Sequence, residues 1–157
     1  MALNNAFTVG QTLTAAECNN LPFGVADYGS SASNYNLTTS LVAVPGMTVT
    51  WTADATRLYK ITYVEPGAQS GTLVGQYIAL ELRLTNAAGT QLQQSLQTNG
   101  SAASVTLGMQ AVFIGTFVAG SRTVVGCALA SSTTGTPRLA HSGTTRGYIV
   151  VEDIGLA

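Results

Sequence analysis

Apolar and polar residues alternate along much of this chain. From Gln76 to Thr85, Ile78, Leu80, Leu82 and Leu84 fall on one side, and Tyr77, Ala79, Glu81, Arg83 and Thr85 on the other. A period of two is that of a half-buried antiparallel strand. Arg57 to Glu65 repeats the pattern, with Tyr59, Ile61 and Tyr63 opposite Leu58, Lys60, Thr62 and Val64. Shorter apolar or β-branched runs predict strands at Phe23 to Tyr28, Leu37 to Val44, Met47 to Trp51, Gln91 to Thr98, Ala103 to Val118, Arg122 to Ala130 and Gly147 to Asp153. Turn-forming residues separate them: Pro45-Gly46, Pro66-Gly67, Asn86-Ala87-Ala88-Gly89, Asn99-Gly100 and Ala119-Gly120-Ser121. Ser131 to Thr145, rich in Ser, Thr and Gly, reads as a loop.

Only one helix is expected. In Thr14-Ala15-Ala16-Glu17 the Thr14 hydroxyl can accept from the Glu17 amide while the Glu17 carboxylate reaches back, and Pro22 stops the helix after a turn or two. Met1 to Thr12 has no helical period and reads as an extended arm. The expected organisation is therefore an arm with a short helix at 1–22 and an all-β domain at 23–157. About eight or nine short antiparallel strands at this spacing make a sandwich or a barrel. No repeat of solenoid or propeller length is present.

Composition changes the picture in one respect. Only 8% of the 157 residues are charged while 46% are apolar, against about 25% charged in ordinary domains. Leu84 to Ser121 contains no Asp, Glu, Lys or Arg. Such a surface is built from Ser, Thr, Asn, Gln and Gly, or is covered by another subunit, and the cores of subunit interfaces are depleted in charge. A net charge of −1, with Arg57, Lys60, Arg83, Arg122, Arg138 and Arg146 scattered, argues against a nucleic-acid partner. The residues Met1 to Asn5 lack a basic segment and no apolar core follows, so no signal peptide is expected. No run approaches the roughly 20 apolar residues of a membrane helix. We therefore expect a protein made in a cytoplasm, with no membrane partner. Cys18 and Cys127 read as two buried thiols, with a disulfide between them left open.

Candidate chemistry is sparse. The one histidine, His141, lies in the Ser- and Gly-rich loop and reads as a solvated side chain. No Gly-x-Ser-x-Gly elbow exists. Glu152 and Asp153 are adjacent on a strand and so point to opposite faces, which denies them a joint acid–base role. Glu81 and Arg83 read as a surface charge pair; Asp27, Asp54 and Glu65 read as single carboxylates near strand ends. Metal-ligand spacing and a phosphate-binding loop are both missing. Tyr59, Tyr63 and Tyr148 could stack on a sugar or a base, but packing is the better reading. No catalytic residue, cofactor or metal is expected, and the chain reads as a non-enzyme.

Three stretches carry a resemblance. Phe7-Thr8-Val9-Gly10-Gln11-Thr12-Leu13-Thr14-Ala15-Ala16-Glu17-Cys18-Asn19 resembles the opening of many structural proteins of actinobacterial phages. Arg57-Leu58-Tyr59-Lys60-Ile61-Thr62-Tyr63 and Tyr148-Ile149-Val150-Val151-Glu152-Asp153-Ile154-Gly155 are similar to a domain in their minor tail, fibre and head-decoration proteins. The resemblance implies a jelly roll of the tumour-necrosis-factor and complement-head type, which forms tight homotrimers. It places Tyr59, Ile61, Tyr63 and Tyr148 at a trimer interface. The chain starts at Met1 with no shaft before the domain, which suits a capsid decoration or head-fibre protein on the virion surface. On that reading Leu3, Phe7 and Val9 of the arm attach the trimer to the major capsid protein or another virion protein. The alternatives are a minor tail or fibre-tip protein that binds the host surface, and a hydrolase of envelope polymers.

Overall fold

The computed structural model describes residues 21–157, and among these the chain forms ten strands and no helix. The strands are β1 (Gly24–Ser31), β2 (Tyr35–Asn36), β3 (Val42–Ala53), β4 (Arg57–Gln69), β5 (Tyr77–Leu84), β6 (Gln91–Thr98), β7 (Thr106–Gly115), β8 (Gly120–Ala130), β9 (Arg138–Leu139) and β10 (Gly147–Leu156). All pair antiparallel. One sheet runs β1-β10-β4-β7, with two-residue β9 on the far end of β4 carrying β2. The other runs β3-β8-β5-β6. Counted along the chain without β2 and β9, the sheets read first–eighth–third–sixth and second–seventh–fourth–fifth. Apart from the β5–β6 hairpin, every link between these long strands crosses from one sheet to the other. That is the wiring of a jelly roll. The expected all-β antiparallel sandwich is thus present; the arm and the helix at Thr14 to Glu17 lie outside the described residues.

The core lies between the sheets, and alternation builds it. Met47, Val49 and Trp51 of β3, Tyr59, Ile61 and Tyr63 of β4, Ile78, Leu80 and Leu82 of β5, and Ile149 and Val151 of β10 all turn inward and are buried. Gly126 of β8 makes room for Tyr63. A Cβ there would lie 3.0 Å from the Met47 Cβ and 3.1 Å from the Tyr63 ring, so a side chain would push the tyrosine out of place.

Two expected turns are strand irregularities instead. Pro45-Gly46 lies inside β3, which continues through it with a register shift against β8 between Ala43 and Thr48 and with Gly46 at φ 82°. Pro66-Gly67 lies inside β4, shifting the register against β7 between Glu65 and Ala68. Proline cannot donate to a ladder and is tolerated at bulges, so both prolines bend a strand without ending it. Leu37 to Val44 is not one strand: β2 stops at Asn36, Leu37 donates its N–H to the Pro137 carbonyl at 2.9 Å, and β3 begins at Val42. Glu81 is also corrected. It is buried, and its carboxylate accepts from Arg83 at 2.6 Å and from Gln94 at 2.8 Å.

Candidate functional site

The β1-β10-β4-β7 sheet turns its second face away from its own core. On β4 that face carries Leu58, Lys60, Thr62 and Val64, and on β10 Tyr148, Val150, Glu152 and Ile154, all half-buried. Cross-strand register sets them in rows: Tyr148 beside Val64 and Gln110, Val150 beside Thr62 and Val112, Glu152 beside Lys60 and Ile114. Tyr28 of β1 stacks on Tyr148 with ring centres 6.2 Å apart. Lys60 and Glu152 meet at 3.2 Å.

This arrangement corrects the expected interface. Tyr59, Ile61 and Tyr63 point into their own core and are at most 3% exposed, so no neighbouring subunit can touch their side chains. A sandwich strand has one face in and one face out, and the aromatic face of β4 is the inner one. Of the four residues placed at a subunit contact, Tyr148 alone lies on the outward face.

The charge-free run from Leu84 to Ser121 becomes one side of the molecule. It spans β6 and β7, which are the terminal strands of the two sheets and lie against each other across the sandwich. Neither strand has a ladder partner on its outer side among the described residues. Leu96, Leu107 and Val118 of this run are exposed at 57%, 45% and 75%, while Ile114, at 55%, stands on the outward face of the β1-β10-β4-β7 sheet in the row of Lys60 and Glu152. At one end a groove of about 440 Å³ opens between Leu92, Phe113, Phe117 and Val118, with Arg122 on its rim. Arg122 donates to the carbonyls of Val118 at 2.7 Å and Ala119 at 3.3 Å. Natural edge strands are ordinarily protected by charges, prolines or cover, and these two carry neither charge nor proline.

A second feature is interior. Glu65 continues the inward face of β4 after Tyr63 and is fully buried. Its Oε1 accepts the Tyr63 hydroxyl at 2.7 Å, and its Oε2 meets Nε2 of His141. The His141 Nδ1 stands 3.0 Å from the Ser33 carbonyl, and its backbone N–H donates to Asn34 Oδ1 at 2.8 Å. His141 is therefore no solvated loop residue. It plugs one end of the sandwich and ties the loop before β10 to the loop after β1. Gly147 leaves the space for this: a Cβ there would lie 2.6 Å from Glu65 Oε2 and 2.7 Å from His141 Nε2. Burial raises the Glu65 carboxyl above its ordinary value, with the Tyr63 and His141 bonds opposing. Burial also raises the Tyr63 hydroxyl well above its usual range, with the Glu65 charge adding to it. The side chains of His141 and Glu65 are sealed from solvent, so the cluster can hold loops in place but meets no outside molecule in this state.

A buried ion pair sits at another end of β4. Arg57 holds Asp153 through two nitrogens, donates to the Leu21 carbonyl at 2.6 Å, and covers the Phe23 ring at 3.7 Å. Hydrogen bonding to Asp153 raises the Arg57 guanidinium further above its ordinary value. Asp153 points inward and Glu152 outward, as adjacency on a strand requires. Cys127 is a buried free thiol, pushed up to about 11 by burial. Among the described residues no three His, Cys, Asp or Glu side chains gather as a metal site. Leu3, Phe7, Val9 and Cys18 lie outside the described residues.

No family model matches the chain. No curated protein matches its sequence. Among solved structures it is similar to Eiger TNF from S. frugiperda, with 13% identity and a TM-score of 0.44 over 85% of this chain and 94% of that one.

Proposed function

We propose that this chain is a non-enzymatic virion structural protein of a tailed phage, a homotrimer that decorates the capsid surface and stabilises it. One observation carries the assembly: the charge-free run holds the two terminal strands β6 and β7, which have no outer ladder partner among the described residues, and contains four exposed apolar side chains. Free strand edges without charge or proline favour a covering partner. The outward face of the β1-β10-β4-β7 sheet, with Tyr28, Tyr148, Val64 and Val150, offers the complementary cover. Edge against face is a head-to-tail contact, which closes into a ring and at three copies gives a threefold axis. The virion assignment rests on the three sequence stretches described above. The role follows by mass action, since a trimer that binds only the assembled shell stabilises it.

The test has two parts. Light scattering coupled to size exclusion at micromolar concentration should give a trimer, and a monomer would refute the assembly. Ile114→Glu should give a folded monomer, because Ile114 is 55% exposed and contributes little to its own core. Added to capsids lacking this protein, the parent should bind and raise their disruption temperature; trimers that leave the particles unchanged would refute the virion role.

A further inference from the structure

The hydrogen bonds of His141 count its protons. Nδ1 faces the Ser33 carbonyl at 3.0 Å, and a carbonyl oxygen carries no hydrogen, so Nδ1 is the donor and bears one. Nε2 meets Glu65 Oε2, and two lone pairs cannot face each other in such a contact, so a second hydrogen lies between them. The pair is either imidazolium with carboxylate or imidazole with carboxylic acid. Both states carry zero net charge and hold one proton more than a free imidazole beside a free carboxylate.

We propose that Glu65 and His141 form a proton-held clasp that fastens the Ser33–Asn34 loop and the 140–146 loop over one end of the sandwich, and that mildly alkaline solution loosens it. Removing the shared proton would leave a net negative charge with no access to water, so the closed state keeps it. In the opened state both groups return to water, where a free imidazole takes up a proton near about 6.5 and a free carboxylate near about 4.3. Above about pH 6.5 the closed clasp therefore holds one proton more than the open one, and its stability falls as pH rises. Between those values the two states hold equal numbers and stability is flat. Below about pH 4.3 the open state takes up a second proton, and stability falls again.

The surrounding groups do not blur this count. Tyr63 on β4 is raised well above its usual range by burial and keeps its hydrogen throughout. Cys127 on β8, beyond Tyr63, is pushed up to about 11. Met47 on β3, Gly147 on β10, and Ser33 and Asn34 in the loop after β1 do not titrate.

Native-state hydrogen exchange at the His141 and Ala140 amides, corrected for intrinsic rates, tests the clasp. The opening equilibrium constant should be flat from pH 5 to 6 and rise about tenfold per unit from pH 7 to 8.5. In Glu65→Gln the shared proton is lost from the count, so the slope should vanish above pH 7 and appear below about 6.5. Should that variant not fold, nitrogen shifts of His141 in the parent at pH 7.5 decide the matter. A hydrogen on Nδ1 and a second shared at Nε2 support the clasp. A bare Nδ1, or an opening constant that is flat to pH 8.5, overturns it.

Discussion

Tyr63→Phe removes one oxygen and leaves the ring in its place. The lost hydroxyl donates to Glu65 Oε1 at 2.7 Å, and both residues are fully buried. Nothing else in the core needs to move, because the ring still fills the space over Gly126. The cost is therefore that of a bond to a group with ionic character, about 1.5–3 kcal/mol. That is roughly ten- to hundredfold in the unfolding equilibrium constant. Tyr59→Phe is the control. Its hydroxyl accepts the Asp54 N–H at 2.9 Å in a part-buried position, and losing it should cost only about 0.5–1.5 kcal/mol. The two variants are compared by urea unfolding at pH 7 with the m-value unchanged. The pH dependence has a definite sign. Glu65 is already raised by burial, and the Tyr63 bond lowers it; deleting that bond raises it further. A carboxyl raised in the folded state costs stability above its folded value, and the cost fades as pH falls through that value. The deficit of Tyr63→Phe should thus be widest at neutral pH and narrow in acid. A variant within about 0.5 kcal/mol of the parent, or a deficit that widens in acid, would show that the hydroxyl does not serve a buried carboxylate.

Asp153→Asn leaves the Arg57 charge buried without its carboxylate, and should cost about 3–5 kcal/mol. Differential scanning calorimetry should show a fall of several degrees at least, and an unchanged midpoint would refute the buried pair. Tyr59→Asp should unfold the domain and not merely separate subunits. Tyr59 packs against Trp51 and Phe117 with ring centres 5.6 Å and 6.1 Å away, and circular dichroism of a folded monomer would contradict this.

Much of the fold was legible because its signals are local. Alternation over Arg57 to Glu65 and Gln76 to Thr85 marked β4 and β5, and their inner residues fill much of the core. The prolines misled because their chemistry is local as well. Pro45-Gly46 and Pro66-Gly67 have the residues of a turn, yet the ladders on either side outweigh that preference and absorb each pair as a bulge. Whether a chain reverses or bends at such a pair depends on which strands lie alongside, and that is decided by partners far along the chain.

The same limit explains the sites. Alternation separates two faces of β4 but does not say which is inner; Lys60 on one of them was the usable sign, since a lone ammonium belongs near water. The Glu65–His141 pair joins residues 76 positions apart, which no local pattern predicts. Even so, a trace of it was present. Tyr59, Ile61 and Tyr63 define a face that Glu65 continues, so burying the tyrosines buries the carboxylate, and a buried carboxylate demands donors. In a chain this poor in charge few cationic donors exist, and a single histidine followed closely by a glycine at position 143 and another at 147 is a candidate for one. A tyrosine face turned outward against a neighbouring subunit would place no such demand on the chain. With the tyrosines inside, the polar cluster becomes necessary: Glu65 is carried inward after Tyr63, and the Tyr63 hydroxyl and the His141 ring meet its carboxyl there.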